Sequence, residues 1–220
     1  MKTSHPQLAL ASCLLLAGAL LLASCQSRRP RETQDFNSAP AVQNVEVSSA
    51  TRSADAAPVS LKGRRVLLVG DSMAQGLAPF LQRKVEEAGG QWASAPEQSS
   101  TIIWWQGSGK LRALINEHRP DIIFIALGSN ELYTRDAESR AGLIQKMVEE
   151  IGDRQAYWVG PPSWKPGSKL VPVIEDNFQP GHFYNSDALD VPRGKDGKHP
   201  TAAGYERWVE LIWQWYARTV

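Results

Sequence analysis

Cysteine is almost absent from this chain. The two cysteines are Cys13 and Cys25, so no thiol follows residue 25. Disulfide frameworks and thiolate metal sites are therefore excluded for the rest of the chain. Histidines and carboxylates do not recur at metal-ligand spacing either, except in one pair assigned below to other chemistry. We expect no metal and no cofactor.

An excess of charge of either sign is also missing. Lys and Arg number 24, Asp and Glu number 23, and the formal net charge is +1 at pH 7. Proteins that bind nucleic acids through their phosphates usually carry a strongly basic surface. We therefore expect no nucleic-acid partner, and the class of ligand must be inferred from a local site.

No apolar run reaches the roughly 20 residues that a transmembrane helix requires. The main run, Leu8–Ala23, follows Lys2 and ends just before Ser24 and Cys25. A short apolar segment with small residues at its end is typical of an export signal. We predict a signal peptide over residues 1–24, with a membrane helix as the weaker alternative.

The end of this signal has a recognisable pattern. Leu22-Ala23-Ser24-Cys25 resembles the lipobox of bacterial lipoproteins. The resemblance implies that Cys25 is lipidated and binds a membrane through its lipid. Gln26 resembles the residue found there in lipoproteins sorted to the outer membrane of Gram-negative bacteria. We expect a cell-envelope lipoprotein, in the outer membrane or facing the periplasm, and a secreted protein is the alternative.

Two further regions follow the predicted signal. Residues 25–60 are rich in Ser, Ala, Pro and Gln and show no sustained apolar period, which is typical of a flexible tether. Residues 61–220 are enough for one α/β domain with a single core. We therefore predict one folded domain over residues 61–220.

Buried strands and amphipathic helices alternate within the predicted domain. Val66–Val69 and Ile122–Leu127 are continuously apolar, as strands of a parallel sheet covered on both faces are. Apolar residues at helical spacing follow each run. This order predicts an α/β fold with a mostly parallel sheet. Ligands bind in such folds at the carboxyl ends of the strands, which places Ser72 and Asn130 on one rim.

Two short segments carry the groups that serine catalysis needs. Gly70-Asp71-Ser72 follows the first predicted strand, and Asp196-Gly197-Lys198-His199 lies near the end of the domain. A serine hydroxyl becomes nucleophilic when a base takes its proton, and the base needs a third group to fix its tautomer. Each segment alone also fits an ordinary turn or helix cap. Asp187 and Asp190 are alternatives to Asp196 as the orienting carboxylate.

These segments, with Gly128-Ser129-Asn130 between them, resemble the motifs of the SGNH, or GDSL-like, hydrolases. The resemblance covers nearly all of the predicted domain. It implies a three-layer, flavodoxin-like α/β/α sandwich with a five-stranded parallel sheet. It also implies that Ser72 is the nucleophile, His199 the general base and Asp196 the carboxylate that orients the imidazole.

The same resemblance implies three groups that bind an oxyanion. They are the Ser72 N–H, the Asn130 side-chain amide and a backbone N–H for which the family uses a glycine. This chain has serines at the matching place, and we assign the donor to Ser100, with Gly107 as the alternative. Glu131 stands where the family usually has an aspartate, and we expect little effect of this change on catalysis.

The expected activity is hydrolysis of short acyl esters, with acetyl esters first. The expected substrate is a small ester or an acylated carbohydrate of the envelope or the extracellular space, because a domain of this size leaves little chain for a deep acyl tunnel. Trp104, Trp105 and Trp164 are predicted in or beside the rim loops, where they either contact a sugar or acyl group or simply pack. An O-acyltransferase with the same groups and a catalytically idle envelope binding module are the alternatives.

Overall fold

Five parallel strands form one sheet in the order β2-β1-β3-β4-β5. The computed structural model describes residues 58–220. The predicted signal peptide, Cys25 and most of the predicted tether lie outside the described residues. The strands are β1 (Arg65–Gly70), β2 (Gln91–Pro96), β3 (Ile122–Ala126), β4 (Gln155–Val159) and β5 (Phe183–Tyr184).

Helices connect these strands and cover both faces of the sheet. In the described part of the chain they are α1 (Ser72–Glu87), α2 (Ile102–Ser108), α3 (Lys110–His118), α4 (Ala141–Ile151), α5 (Leu170–Asn177) and α6 (Ala202–Thr219). Within residues 58–220, no helix has both the length and the apolar character that a membrane crossing demands.

The sheet is buried on both faces, which explains the continuous apolar sequences of β1 and β3. Alternate side chains of β1 enter different cores, because Leu67 and Val69 lie in one and Val66 and Leu68 in the other. Helices α2 to α5 close the first core, and α1 and α6 close the second. The predicted three-layer α/β/α sandwich with five parallel strands is thereby confirmed.

One helix was not predicted from the sequence. Helix α2 contains β-branched and aromatic residues, whose helix propensity is modest. Thr101 caps it by accepting a hydrogen bond from the Trp104 N–H at 3.1 Å. Trp104 and Trp105 therefore lie on a short helix beside a rim loop. The two predicted buried strands are present as β1 and β3, with bounds shifted by at most one residue at each end.

Helices α1 and α6 approach closely at a glycine. A Cβ atom at Gly76 would overlap the ring of Tyr205, which is 8 % exposed. The Tyr205 hydroxyl lies 3.7 Å from the sulfur of Met73, and burial raises the pKa of Tyr205 to about 12. The missing side chain thus lets α6 pack onto α1. Helix α6 directly follows the segment that carries Asp196 and His199.

Gly76→Ala is expected to lower the free energy of unfolding by about 1–3 kcal/mol, because the added methyl group must displace the Tyr205 ring. The matched control is Gly142→Ala in α4, where an added Cβ meets nothing within 4 Å. That substitution should stabilise the domain by up to about 1 kcal/mol through helix propensity. Denaturant titration measures both variants. Equal effects would show that the Tyr205 ring sets no such constraint.

Candidate active site

The turn after β1 presents the Ser72 hydroxyl at the rim. Gly70 has a φ of 145°, and a Cβ there would collide with the Ala126 carbonyl of β3. A glycine is therefore required where the two strands meet. Helix α1 begins at Ser72, directly after its N-cap Asp71. The Ser72 N–H makes no hydrogen bond within the described residues and lies at the positive end of the helix dipole.

Asp71 is fully buried and joins the turns that follow β1 and β3. Its Oδ1 accepts a hydrogen bond from the Met73 N–H at 2.8 Å. Its Oδ2 accepts from the Gly128 N–H at 3.2 Å, the Ser129 N–H at 3.0 Å and the Ser129 hydroxyl at 2.7 Å. Burial raises the pKa of the Asp71 carboxyl, and these hydrogen bonds act in the opposite direction. The carboxylate fixes one turn relative to the other.

The structure brings Ser72, His199 and Asp196 into one hydrogen-bonded line. Ser72 Oγ lies 2.8 Å from His199 Nε2, and His199 Nδ1 lies 2.5 Å from Asp196 Oδ2. With its proton on Nδ1, the imidazole donates to the carboxylate and accepts from the hydroxyl at Nε2. This arrangement can remove the hydroxyl proton as the serine oxygen attacks an electrophile.

The Asp196 carboxylate also organises its own loop. Its Oδ1 accepts hydrogen bonds from the Lys198 N–H at 2.9 Å and the His199 N–H at 3.0 Å. The hydrogen bond from the His199 ring has the largest effect on this carboxyl group. Together with the two backbone hydrogen bonds it lowers the pKa of Asp196 to about 2. The side chains of His199 and Asp196 are 43 % and 48 % exposed. The imidazole can therefore exchange protons with solvent.

Arg193 ties the histidine loop to the segment after β4. Its guanidinium donates to the Lys198 carbonyl oxygen at 2.5 Å. It also donates to the carbonyl oxygens of Pro162 at 3.3 Å and Ser163 at 3.0 Å. The planar guanidinium can hold several acceptors in a fixed geometry. The position of the imidazole therefore depends on a crosslink between two loops.

Asn130 lies in the turn after β3, where its side-chain amide can donate a hydrogen bond to a developing negative charge. Its Nδ2 donates one hydrogen bond to the Ser100 carbonyl oxygen at 2.9 Å. A side-chain amide has a second N–H, which remains for an oxyanion. The contact orients the amide and connects the loops that follow β2 and β3.

The structure contradicts the assignment of Ser100 as a backbone oxyanion donor. Its N–H donates to the Glu97 carbonyl oxygen at 3.1 Å. Its hydroxyl accepts a hydrogen bond from the Trp105 indole N–H at 2.9 Å. Ser100 is therefore a buried structural residue. The alternative, Gly107, lies in the last turn of α2.

Ser99 replaces Ser100 as the candidate donor. Its N–H makes no hydrogen bond within the described residues. Its φ of 63° is in the left-handed region that favours glycine. The Glu97 N–H donates to the Gly70 carbonyl oxygen at 2.8 Å, which holds this loop against the turn that carries Ser72. Sequence reasoning missed Ser99 because a positive φ at a serine leaves no sign in the sequence.

Glu131 is 5 % exposed and connects α2 to the turn after β3. Its Oε2 accepts a hydrogen bond from the Ile102 N–H at 2.6 Å, and its Oε1 accepts from Arg140 Nε at 2.7 Å. Negative charge is favourable at the start of a helix, and the ion pair compensates for burial of the carboxylate. The longer arm of glutamate, compared with aspartate, thus reaches α2.

His182 and the two alternative carboxylates have other partners. His182 Nδ1 lies 2.9 Å from the Ala156 carbonyl oxygen. Asp187 accepts a hydrogen bond from the Ser163 hydroxyl, and Asp190 forms no ion pair with a histidine in the described part of the chain. No group of three or more His, Cys, Asp and Glu residues is arranged there to hold a metal ion.

The three tryptophans of the rim differ in exposure. Trp105 is fully buried, whereas Trp104 is 40 % exposed. Trp164 is half-buried and packs edge-on against Tyr133, with ring centroids 5.3 Å apart. Lys198 Nζ lies 5.7 Å from the centroid of the Trp164 ring. Trp105 is therefore a core residue. Trp104, on α2, and Trp164, near the histidine loop, keep exposed ring surface.

Several solved hydrolase structures resemble this chain. A lipase/acylhydrolase from Enterococcus faecalis has a TM-score of 0.57 and 20 % identity, over 70 % of this chain and 96 % of that one. The fold is shared. The esterase EstA from Pseudoalteromonas sp., in a structure inhibited by monoethylphosphonate, has a TM-score of 0.57 and 19 % identity, over 70 % and 97 % of the two chains.

An acetyl xylan esterase, AlAXEase, has a TM-score of 0.51 and 13 % identity, over 68 % of this chain and 98 % of that one. At these identities the likeness shows the fold alone. No protein-family model matches the sequence, and no curated protein matches it.

Asp71→Asn is expected to lower the free energy of unfolding by about 3 kcal/mol, because an amide N–H would face backbone donors in a buried site. Asp153→Asn is the matched control, since Asp153 is exposed. Denaturant titration measures both variants. A loss of similar size in the control variant would contradict a special role for the buried carboxylate.

Proposed function

We propose that this protein is a serine esterase that forms an acyl-enzyme. The observation that carries the proposal is the pair of contacts at 2.8 Å from Ser72 Oγ to His199 Nε2 and at 2.5 Å from His199 Nδ1 to Asp196 Oδ2. The resemblance of these segments to SGNH-type motifs supports it, and so does the fold shared with solved esterases.

The proposed mechanism assigns one step to each group. His199 takes the Ser72 proton as the hydroxyl oxygen attacks the ester carbonyl, and Asp196 stabilises the imidazolium that forms. The oxyanion accepts hydrogen bonds from the Ser72 N–H, the Ser99 N–H and the Asn130 amide. His199 then protonates the leaving alcohol. Water, activated by the same imidazole, finally hydrolyses the acyl-enzyme.

We propose an acetyl or other short acyl ester on a carbohydrate as the substrate. Trp104 and Trp164 expose rigid ring surface that can contact a sugar, and one similar structure is an acetyl xylan esterase. Helices and strands together account for more than half of residues 61–220, which limits the chain left for a deep acyl tunnel. O-acyl transfer would use the same groups, with a sugar hydroxyl in place of water.

We also propose that the protein is exported and held at a membrane through lipid on Cys25. The support is the sequence Leu22-Ala23-Ser24-Cys25 after a short apolar run. Residues 26–60 would then separate the lipid from the catalytic domain. Secretion without lipid remains the alternative.

The purified protein should hydrolyse an activated acetyl ester, and Ser72→Ala should lower kcat by about 10⁴-fold or more, because the nucleophile is lost. Ser94→Ala, at an exposed position of β2, is the control and should keep full activity. Mass spectrometry after treatment with a serine-reactive phosphonate should find the label on Ser72. A protein that neither hydrolyses the ester nor takes the label would instead be a binding module.

The same assay defines the acyl group and the acceptor. The value of kcat/KM should fall as the acyl chain lengthens, and a steep preference for long chains would contradict the proposed substrate class. Products are analysed with and without a soluble sugar acceptor. An acylated sugar as the main product would identify a transferase.

Esterase activity should fall in acid, because the His199 imidazole then binds a proton. The pKa of Asp196 is lowered to about 2, so this carboxylate stays ionised where imidazoles titrate, at about pH 6 to 7. A protonated imidazole cannot accept the Ser72 proton, so the acid limb of kcat/KM should fall about tenfold per pH unit. A profile that stays flat down to about pH 4 would exclude His199 as the base.

A further inference from the structure

We propose an anion-binding site at the end of the sheet opposite the triad. A cavity of about 970 Å³ opens there, between the starts of β1, β3 and β4 and the end of α3. Strand β1 carries Arg65 at its first residue and Gly70 at its last, so the cavity and the Ser72 turn lie at opposite ends of one strand. The charged residues that line the cavity are Arg64, Arg65, Arg119, Arg154, Asp121 and Asp153.

One of the two aspartates is already paired. The Arg65 N–H donates to Asp121 Oδ2 at 2.8 Å, and Arg65 Nε lies 3.3 Å from the same oxygen. The hydrogen bond from the Arg65 N–H has the largest effect, and with the bonds from the Arg65 guanidinium it holds the pKa of Asp121 below its usual range. The three other guanidinium groups then share the cavity with a single further carboxylate, that of Asp153. The cavity therefore carries an excess of positive charge.

Most donors of these three guanidinium groups are unused. Arg64 Nη2 donates to Gln155 Oε1 at 3.1 Å, and Arg154 Nη1 donates to the Ile151 carbonyl oxygen at 2.9 Å. The Arg119 side chain forms no ion pair with any described residue. Each guanidinium has several N–H groups in a fixed plane. Donors from three segments of the chain therefore remain for a ligand.

Arg119 has an unusual backbone conformation for its residue type. It ends α3 with φ 45° and ψ 54°, the left-handed region in which a helix commonly ends on glycine. A non-glycine residue pays a conformational cost there. The positive side chain gains from the negative end of the helix dipole, and it also lines the cavity. Glycine would cap the helix more easily but would leave the cavity with one cation fewer.

A phosphate group is the ligand whose chemistry fits this cavity. Guanidinium groups bind phosphate oxygens with two parallel hydrogen bonds. Residues 58–64 lead into β1 at this end of the sheet, and Arg64, the last of them, lines the cavity. The phosphate comes either from a lipid headgroup or from a free anion, and the experiment distinguishes these sources.

The experiment uses the full chain with Cys25→Ser, so that no attached lipid contributes to binding. Calorimetry measures affinity for inorganic phosphate. Sedimentation measures affinity for vesicles of phosphatidylglycerol and phosphatidylcholine, with pure phosphatidylcholine vesicles as the reference. The cavity variant combines Arg64→Gln, Arg119→Gln and Arg154→Gln. The control variant removes three arginines from exposed helix positions by Arg83→Gln, Arg112→Gln and Arg207→Gln.

The parent should bind phosphate, anionic vesicles or both, and the cavity variant should bind at least about tenfold more weakly. The control variant should lose less than about twofold. Binding of phosphate alone would identify a free anion as the ligand, and binding of anionic vesicles alone would identify a headgroup. Absence of both, or equal weakening in the two variants, would overturn the proposal.

Arg119→Gly separates binding from folding. Glycine relieves the positive φ, so this variant should unfold at the same or a higher denaturant concentration than the parent. Its affinity should still fall, by about threefold or more. An unchanged affinity would show that Arg119 only caps α3, which would remove it from the site. Hydrolysis of a small ester should stay at the parent level, because the cavity lies at the other end of the sheet.

Discussion

The buried carboxylate of Asp71 is the interaction on which the geometry of the rim depends. It accepts hydrogen bonds from Met73, Gly128 and Ser129, and so it satisfies donors from two different turns. A buried carboxylate without such partners would cost several kcal/mol, roughly. Neither turn can therefore move without a penalty, and the groups they carry keep a constant spacing. Preorganised donors of this kind are what an oxyanion site requires.

The two halves of the site are supported in different ways. The half with Ser72 and Asn130 rests on strand ends and buried hydrogen bonds. The half with Asp196 and His199 is a solvent-facing loop, and Arg193 holds it through backbone carbonyl oxygens. This division suits the proposed chemistry, because the donors to the oxyanion must be rigid while the base must exchange protons with water.

Residue types and the order of the apolar runs were enough to predict the sheet. Apolar runs ending in Gly-Asp-Ser and Gly-Ser-Asn predicted parallel strands whose carboxyl ends share a rim, and the fold confirms that sheet. Backbone conformation was not accessible from the sequence. The φ of 63° at Ser99 and the hydrogen bond from the Ser100 N–H to the Glu97 carbonyl oxygen distinguish the two serines as candidate donors only in the structure. Helix α2 was missed because Glu131, distant in sequence, caps its first turn.

The two ends of the proposed proton transfer lie 127 positions apart in the chain. Ser72 lies at the start of α1, whereas His199 lies just before α6, which packs against α1 at Gly76. Contacts of such long sequence separation form late, because loop closure must precede them. A partly folded chain therefore has the hydroxyl without its base. The site is inactive until the whole domain has folded, so an unfolded chain would carry no reactive serine.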